Sequence, residues 1–183
     1  MTCLSAPTRS SPARMMNAAA ASPMSLVAPT TGQALRLSPQ IAFFLLASLT
    51  ISFLAGSSAP TPLYPVYQAE WGFTPVTVTL IFGIYALALL GALLVAGRLS
   101  DHLGRRPVLI TAALVQSIAM LVFATADGVA GLMVARVIQG LATGAALAAI
   151  GAGMLDLDAA RGTLANSVAP GLGTALGALI GGV

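Results

Sequence analysis

The stretch Gly97-Arg98-Leu99-Ser100-Asp101-His102-Leu103-Gly104-Arg105-Arg106-Pro107 lies between two long apolar runs, and its reading decides the fold. It holds three of the eight basic residues and one of the five acidic ones. Over all 183 residues only 7% are charged and 57% are hydrophobic, with mean hydropathy +0.94. Soluble domains carry about 25% charged residues, so this composition belongs to a membrane protein. Two spans joined by a short basic loop is the simplest arrangement. The arginine excess then places that loop in the cytoplasm.

Working outward from the loop gives five spans. Ser38-Pro39 starts the first, with Ser as N-cap and Pro at the first helical position. Residues 41–59 carry no charge and match the ~20 residues needed to cross a bilayer. Pro60, Pro62 and Pro65 end that span, and Tyr64, Tyr67 and Trp71 read as a loop at the membrane–water boundary. Thr74-Pro75 opens the second, 76–97, and Pro107 the third, 108–126. After the Asp127-Gly128 turn come the fourth, 129–155, a loop with Asp156, Asp158 and Arg161, and the fifth, 163–183. The expected fold is an all-α, multi-pass transmembrane helix bundle.

Residues 1–37, rich in Ala, Ser, Pro and Thr, read as a disordered cytoplasmic tail. Their apolar pieces are broken by Ser22 and Pro23, so they form no secretory signal core, and Met15, Met16 and Met24 are alternative starts. With the N-terminus inside, seven arginines (Arg9, Arg14, Arg36, Arg98, Arg105, Arg106 and Arg161) fall on the cytoplasmic side. The outer loops hold no Lys or Arg, which fixes the expected orientation.

Several function classes drop out. The net charge of +3 has no aromatic-interleaved basic stripe, so nucleic acid is not an expected partner. Cys3 is the only cysteine, which rules out an internal disulfide and a thiolate metal cage. There is no Ser-His-Asp set, no metal cluster and no phosphate-binding glycine loop, and His102 stands alone. No enzyme, cofactor or metal is expected.

In the loop, Gly97 would let backbones approach closely, and Gly104 would permit a positive φ. Asp101 lies three to five residues from Arg98, Arg105 and Arg106, close enough for an ion-pair cluster. A loop that is basic only for topology requires the arginines but not the glycines. The spacing G-x-L-x-D-x-x-G-R-R resembles the loop between helices 2 and 3 of major facilitator superfamily transporters. The resemblance implies a conformational latch at Gly97, Asp101, Gly104, Arg105 and Arg106, whose charges pair with neighbouring helices to hold one access state.

Arg136 lies inside the fourth span, about 10 Å along the helix from Val129. An Arg there costs at least ~2.5 kcal/mol, so it needs a partner or a wet cavity. Arg136, Gln139, Gly140, Thr143, Gly144, Leu147 and Gly151 recur at intervals of three and four on one face, which should point into the bundle. R-x-x-Q-G resembles the helix-4 motif of the family, associated with proton coupling in its antiporters. Arg does not release a proton, and no Asp, Glu or His falls inside the five spans. A proton-driven carrier would therefore keep its carboxylate in another part of the molecule, and Arg136 could equally hold an anionic substrate.

In the fifth span Gly173, Gly177 and Gly181 stand four apart, a flat strip for close helix packing, with Gly182 behind them. G-x-x-x-G-x-x-x-G-G resembles the helix-5 motif of the family's antiporters, except that Ala178 replaces the usual Pro and Pro170 comes earlier. Gly91-Ala92-Leu93-Leu94 and Gly177-Ala178-Leu179-Ile180 echo one another at an offset of 86 residues, as a three-helix inverted repeat would.

The resemblance, over 38–183, implies the N-terminal part of a twelve-helix fold, with five helices present and the remaining ones as partners. It also implies a central site lined by span 4 and by Ser48 and Ser52 of span 1. The expected function is secondary transport of a small organic solute, as a proton-coupled exporter in a bacterial inner membrane. The fifth span ends without a flanking polar residue, as in a piece of a longer transporter. The competing class is a short, non-transporting membrane protein that packs against a partner through its glycine-rich last helix.

Overall fold

A computed structural model describes residues 38–182, without the side chains of Leu99 and Asp101; the expected tail, 1–37, lies outside the described residues. Six α-helices follow in order: α1 Pro39–Ser58, α2 Tyr64–Trp71, α3 Pro75–Leu103, α4 Arg105–Ala124, α5 Val129–Leu157 and α6 Ala159–Gly181. Five helical segments are long and apolar enough to cross a membrane, with α1 and α2 counted as one. The described chain is an all-α, multi-pass bundle.

Local chemistry explains the boundaries. Ser38 Oγ accepts the Ile41 N–H, and Pro39 occupies the first turn, where its missing N–H costs nothing. Pro60 and Pro62 interrupt the ladder after α1, yet the chain does not open into the expected loop. A 3-10 turn, Thr61–Leu63, leads into α2, and Gly72 ends α2 at φ 64°. The long basic loop is also absent. Arg98 to Leu103 continue α3, and only Gly104, at φ 85°, separates it from α4. The 5/6 connection shrinks likewise to Asp158, whose carboxylate caps the Arg161 N–H at 3.0 Å. Short polar side chains at helix starts, and glycine at a single reversal, suffice where longer loops were expected.

α5 is the hub. In its most apolar window 56% of residues are buried, against 11–22% in the other spans. It meets α3 through glycine: a Cβ at Gly140 would stand 2.6 Å from the Tyr85 carbonyl oxygen, and one at Gly144 would collide with the Leu89 carbonyl. α6 meets α1 in the same manner. Gly173, Gly177 and Gly181 lie on the carbonyls of Ile51, Ala55 and Ala59, and Ser58 Oγ donates to the Thr174 carbonyl at 2.9 Å. In a bilayer no hydrophobic force draws helices together, so such close backbone approach supplies the attraction.

The two contacts are related. Ser57 of α1 and Thr143 of α5 hydrogen-bond through their hydroxyls at 3.0 Å, and they stand 86 residues apart. That is the offset of the Gly91/Gly177 echo. An inverted repeat of that offset would relate α1 to α5 and α3 to α6. The outward surface is the complement: Phe44, Leu87, Leu94 and Ile180 are all more than 70% exposed, as helices surrounded by acyl chains require.

Gly140→Ala and Gly173→Ala should each destabilise the bundle by about 1–3 kcal/mol, the range for overpacking. Gly83→Ala should not, because a Cβ there meets nothing within 4 Å. Thermal unfolding in detergent distinguishes them; equal midpoints for all three would show that the glycine contacts do not hold the helices.

Candidate functional site

The site begins with a defect at the end of α1. The Gly56 carbonyl would normally receive the N–H of residue 60, but that residue is Pro60. The backbone still runs helically there, with Ala59 at φ −53°, ψ −39° and Pro60 at φ −73°, ψ −9°. The following 3-10 turn takes Thr61 off the α1 ladder, since Leu63 and Tyr64 direct their N–H groups to Pro60 and Thr61. The carbonyls of Gly56 and Ser57 are thus left facing α5 without backbone donors among the described residues.

Arg136 and Gln139 of α5 supply the donors. Arg136 Nη1 donates to the Ser57 carbonyl at 2.7 Å and to Gln139 Oε1 at 2.7 Å. Gln139 Nε2 then donates to the Gly56 carbonyl at 3.2 Å. Residues three apart on a helix lie on one face, so R-x-x-Q has the spacing to serve two successive carbonyls. The cation also sits at the negative end of the α1 dipole.

The remaining surroundings are aromatic. Arg136 Nε donates to Tyr64 Oη at 2.8 Å. The rings of Tyr64, Phe82, Tyr85 and Phe123 stand 5.0–5.5 Å from the guanidinium carbon. Arg136 is 1% exposed, so a wet passage does not surround it in this conformation. Magnitudes decide how a buried cation is tolerated. Insertion costs about 2.5–3.5 kcal/mol; each hydrogen bond from a charged group returns about 1.5–3 kcal/mol. The three bonds together exceed that cost across the whole range, before any cation–π contribution. Nη2 alone has no oxygen or nitrogen acceptor and lies among the rings.

A polar seam continues along α5. Thr143 bonds to Ser57 and reaches Gln116 Oε1 of α4 at 3.5 Å, while Gln116 Nε2 is buried without a partner. Gly140 belongs to the α3 contact rather than to this seam. Ser48 and Ser52 are exposed and donate to their own helix, to the carbonyls of Leu45 and Ser48. The structure does not bring them to Arg136; Ser57, five residues beyond Ser52, fills that role.

At the other end of the bundle, Arg105 opens α4 and forms an ion pair with Asp156 near the end of α5. Its stem crosses Gly153, where a Cβ would come within 3.6–3.7 Å of it. Among the described residues, the carboxylate that Arg105 meets is on another helix. The Asp101 side chain lies outside the described residues. Arg106 is exposed, and Gly97 makes no close approach, since a Cβ there meets nothing within 4 Å. Gly182 caps α6 beside Pro62.

Nothing in the local sequence signals Tyr64, Phe82, Tyr85, Phe123 or Asp156 as partners. The one visible clue to the α1 defect is Pro60, four residues after Gly56.

Comparison with known proteins agrees with this architecture. The chain is 34% identical over 148 residues to Cephamycin export protein CmcT of Amycolatopsis lactamdurans, covering 76% of this chain and 30% of that protein. It is 36% identical over 90 residues to Inner membrane transport protein YnfM of Escherichia coli strain K12, covering 49% of this chain and 21% of the relative. Multidrug resistance protein MdtL of Klebsiella pneumoniae strain 342 is 32% identical over 103 residues, 55% of this chain and 26% of its own. The chain thus spans between a fifth and a third of the length of these relatives. Residues 15–183 match the Major Facilitator Superfamily profile, and the chain, a multi-pass membrane protein, belongs to that superfamily.

Proposed function

We propose that this chain is the first five spans of a secondary active transporter that exports a small organic solute by alternating access, coupled to protons, in a bacterial inner membrane. It acts as a carrier and not as an enzyme. The observation that carries the reading is the polar seam between α1 and α5. These two helices meet through Arg136, Gln139, Ser57 and Thr143, where apolar packing would be simpler. Ionisable residues inside a bilayer mark functional sites by default, beyond any cohesion they add. Their contacts can be exchanged for contacts with water or solute when helices part.

The ties at the two ends complement one another. Arg136 and Gln139 hold α1 to α5 at the end carrying α2, and Arg105–Asp156 holds α4 to α5 at the opposite end. With the N-terminus inside, the first closes the outer side and the second is the cytoplasmic latch. The names of the relatives, a cephamycin exporter and a multidrug resistance protein, favour export. A guanidinium holds its proton throughout, so the proton-binding carboxylate belongs to the rest of the full-length carrier. Arg136 acts by answering that charge or the solute's.

In cells making the full-length protein, Arg136→Ala and Gln139→Leu should each reduce solute efflux at least about tenfold, the loss of roughly 1.4 kcal/mol of coupling. Efflux is compared per amount of protein in the membrane, which loss of the α1–α5 bonds is expected to lower. Collapsing the proton gradient should stop wild-type efflux. Efflux that survives both substitutions and the ionophore would exclude this function.

The latch has its own test. Arg105→Asp and Asp156→Arg should each slow transport, and the double exchange should restore part of it; no restoration would separate the ion pair from function. For orientation, a Cys3→Ser background carrying Val66→Cys should react with an impermeant maleimide added outside intact cells. Leu103→Cys should react only after lysis. The reverse pattern would invert the topology.

A further inference from the structure

Two clefts along α3 share Val95 as a wall. Leu94, Val95, Arg98 and His102 border the first, of about 580 Å³. Val95 also borders the second, of about 440 Å³, which lies between α3 and α5 and is lined by Gly91, Ala92, Ala96, Leu141 and Ala145. The combined groove follows α3 from Gly91 to His102, a rise of about 16 Å. That is about half of the ~30 Å hydrocarbon thickness, the depth of a single leaflet. Its wall is aliphatic over this length, with Leu94 78% and Val95 67% exposed. Its mouth, at the α3–α4 junction, carries the guanidinium of Arg98 and the imidazole of His102, both exposed.

A groove one leaflet deep, apolar along its length and cationic at its mouth, is complementary to an amphiphile of the same length with a negative head. We infer that it binds one anionic phospholipid of the leaflet on the basic-junction side. An acyl chain lies along Leu94, Val95, Gly91 and Leu141, and the headgroup phosphate accepts hydrogen bonds from Arg98, with His102 beside it. Basic residues at the end of a span attract anionic headgroups at the surface; the groove adds a seat for one particular molecule. Its place also gives it a consequence. The chain fills the crevice between α3 and α5 next to their Gly144 contact, so the lipid braces the hub helix on the side where Arg105 and Asp156 already tie α4 to it.

A second cleft, about 530 Å³, serves as an internal control. It lies between α1 and α6, lined by Phe43, Phe44, Leu164, Ala165 and Val168 with Arg161 at its edge. There Asp158 stands 3.6 Å from the Arg161 guanidinium, and the offset charge removes the preference for an anionic head. This inference needs the membrane placement of the bundle and a groove face that the rest of the full-length protein leaves open, and it is independent of the solute or the coupling ion.

The test uses the full-length protein in nanodiscs of phosphatidylcholine, with or without phosphatidylglycerol. Lipid retention is read by native mass spectrometry and stability by thermal unfolding. Phosphatidylglycerol should be retained preferentially and should raise the unfolding midpoint. Arg98→Gln should lower its retention about fivefold, the effect of one interfacial arginine. Arg98→Lys should preserve it, and Leu94→Trp, which fills the groove, should abolish it. Arg161→Gln should change nothing. Equal retention of the two lipids would overturn the proposal, as would retention indifferent to both Arg98→Gln and Leu94→Trp. So would a Leu94→Cys that cross-links to another helix of the same protein, since the groove would then be occupied by protein. A failure of solute efflux leaves all of these readouts intact, so the two accounts fail separately.

Discussion

The whole arrangement depends on how the end of α1 is completed. Pro60 deprives Gly56 of its backbone donor, and in a bilayer an unanswered carbonyl costs several kcal/mol because no water reaches it. Gln139 answers it from α5, and Arg136 answers the Ser57 carbonyl beside it. The same bonds solve the problem of Arg136 itself, since its charge is spent on two carbonyl oxygens, a phenol and four aromatic faces. Each defect satisfies the other. A span that ends in proline and a span that contains an arginine would both be unfavourable alone, and together they fix the register of α1 on α5.

That register propagates. With Ser57 held against Thr143, each of α1 and α5 is left a flank for a glycine contact: α5 on α3, α1 on α6. Glycine strips give cohesion without directionality, whereas the polar seam gives direction. In the proposed carrier, the strips would hold each helix pair together as it moves, and the seam would be exchanged when α1 and α5 part. The Arg105–Asp156 pair is a different kind of contact. Its members are 36% and 66% exposed, so it adds little stability, which suits a tie that has to open.

Much of the fold was legible from residues 38–183. Five spans follow from charge-free lengths and Ser-Pro or Thr-Pro starts, because a bilayer imposes length and polarity directly on the sequence. The connections were less legible. Tyr64 to Trp71 read as loop because three prolines precede and enter it, yet proline in a first turn is compatible with a helix. The Gly97–Pro107 stretch read as loop because of its charge, although those charges stand on helix ends where they reach water. The face of α5 carrying Arg136 and Gln139 was visible in their spacing. Their partners were not, because Gly56, Ser57, Tyr64 and Phe82 are 54 to 83 residues away and contribute backbone or aromatic surface that no pattern marks. Ser48 and Ser52 show the converse: polar side chains inside a span can simply bond to their own helix.

The most direct measurement is a double-mutant cycle between Pro60→Ala and Gln139→Leu in the full-length protein, read by thermal unfolding. Pro60→Ala places an N–H where the continuing helix would deliver it to the Gly56 carbonyl. If α5 serves as the cap of α1, Gln139→Leu alone should destabilise by about 1–3 kcal/mol, and Pro60→Ala should recover much of that loss. If the two effects simply add, the Gly56 carbonyl does not depend on Gln139, and the cap that sets the register of α1 on α5 is not what holds them.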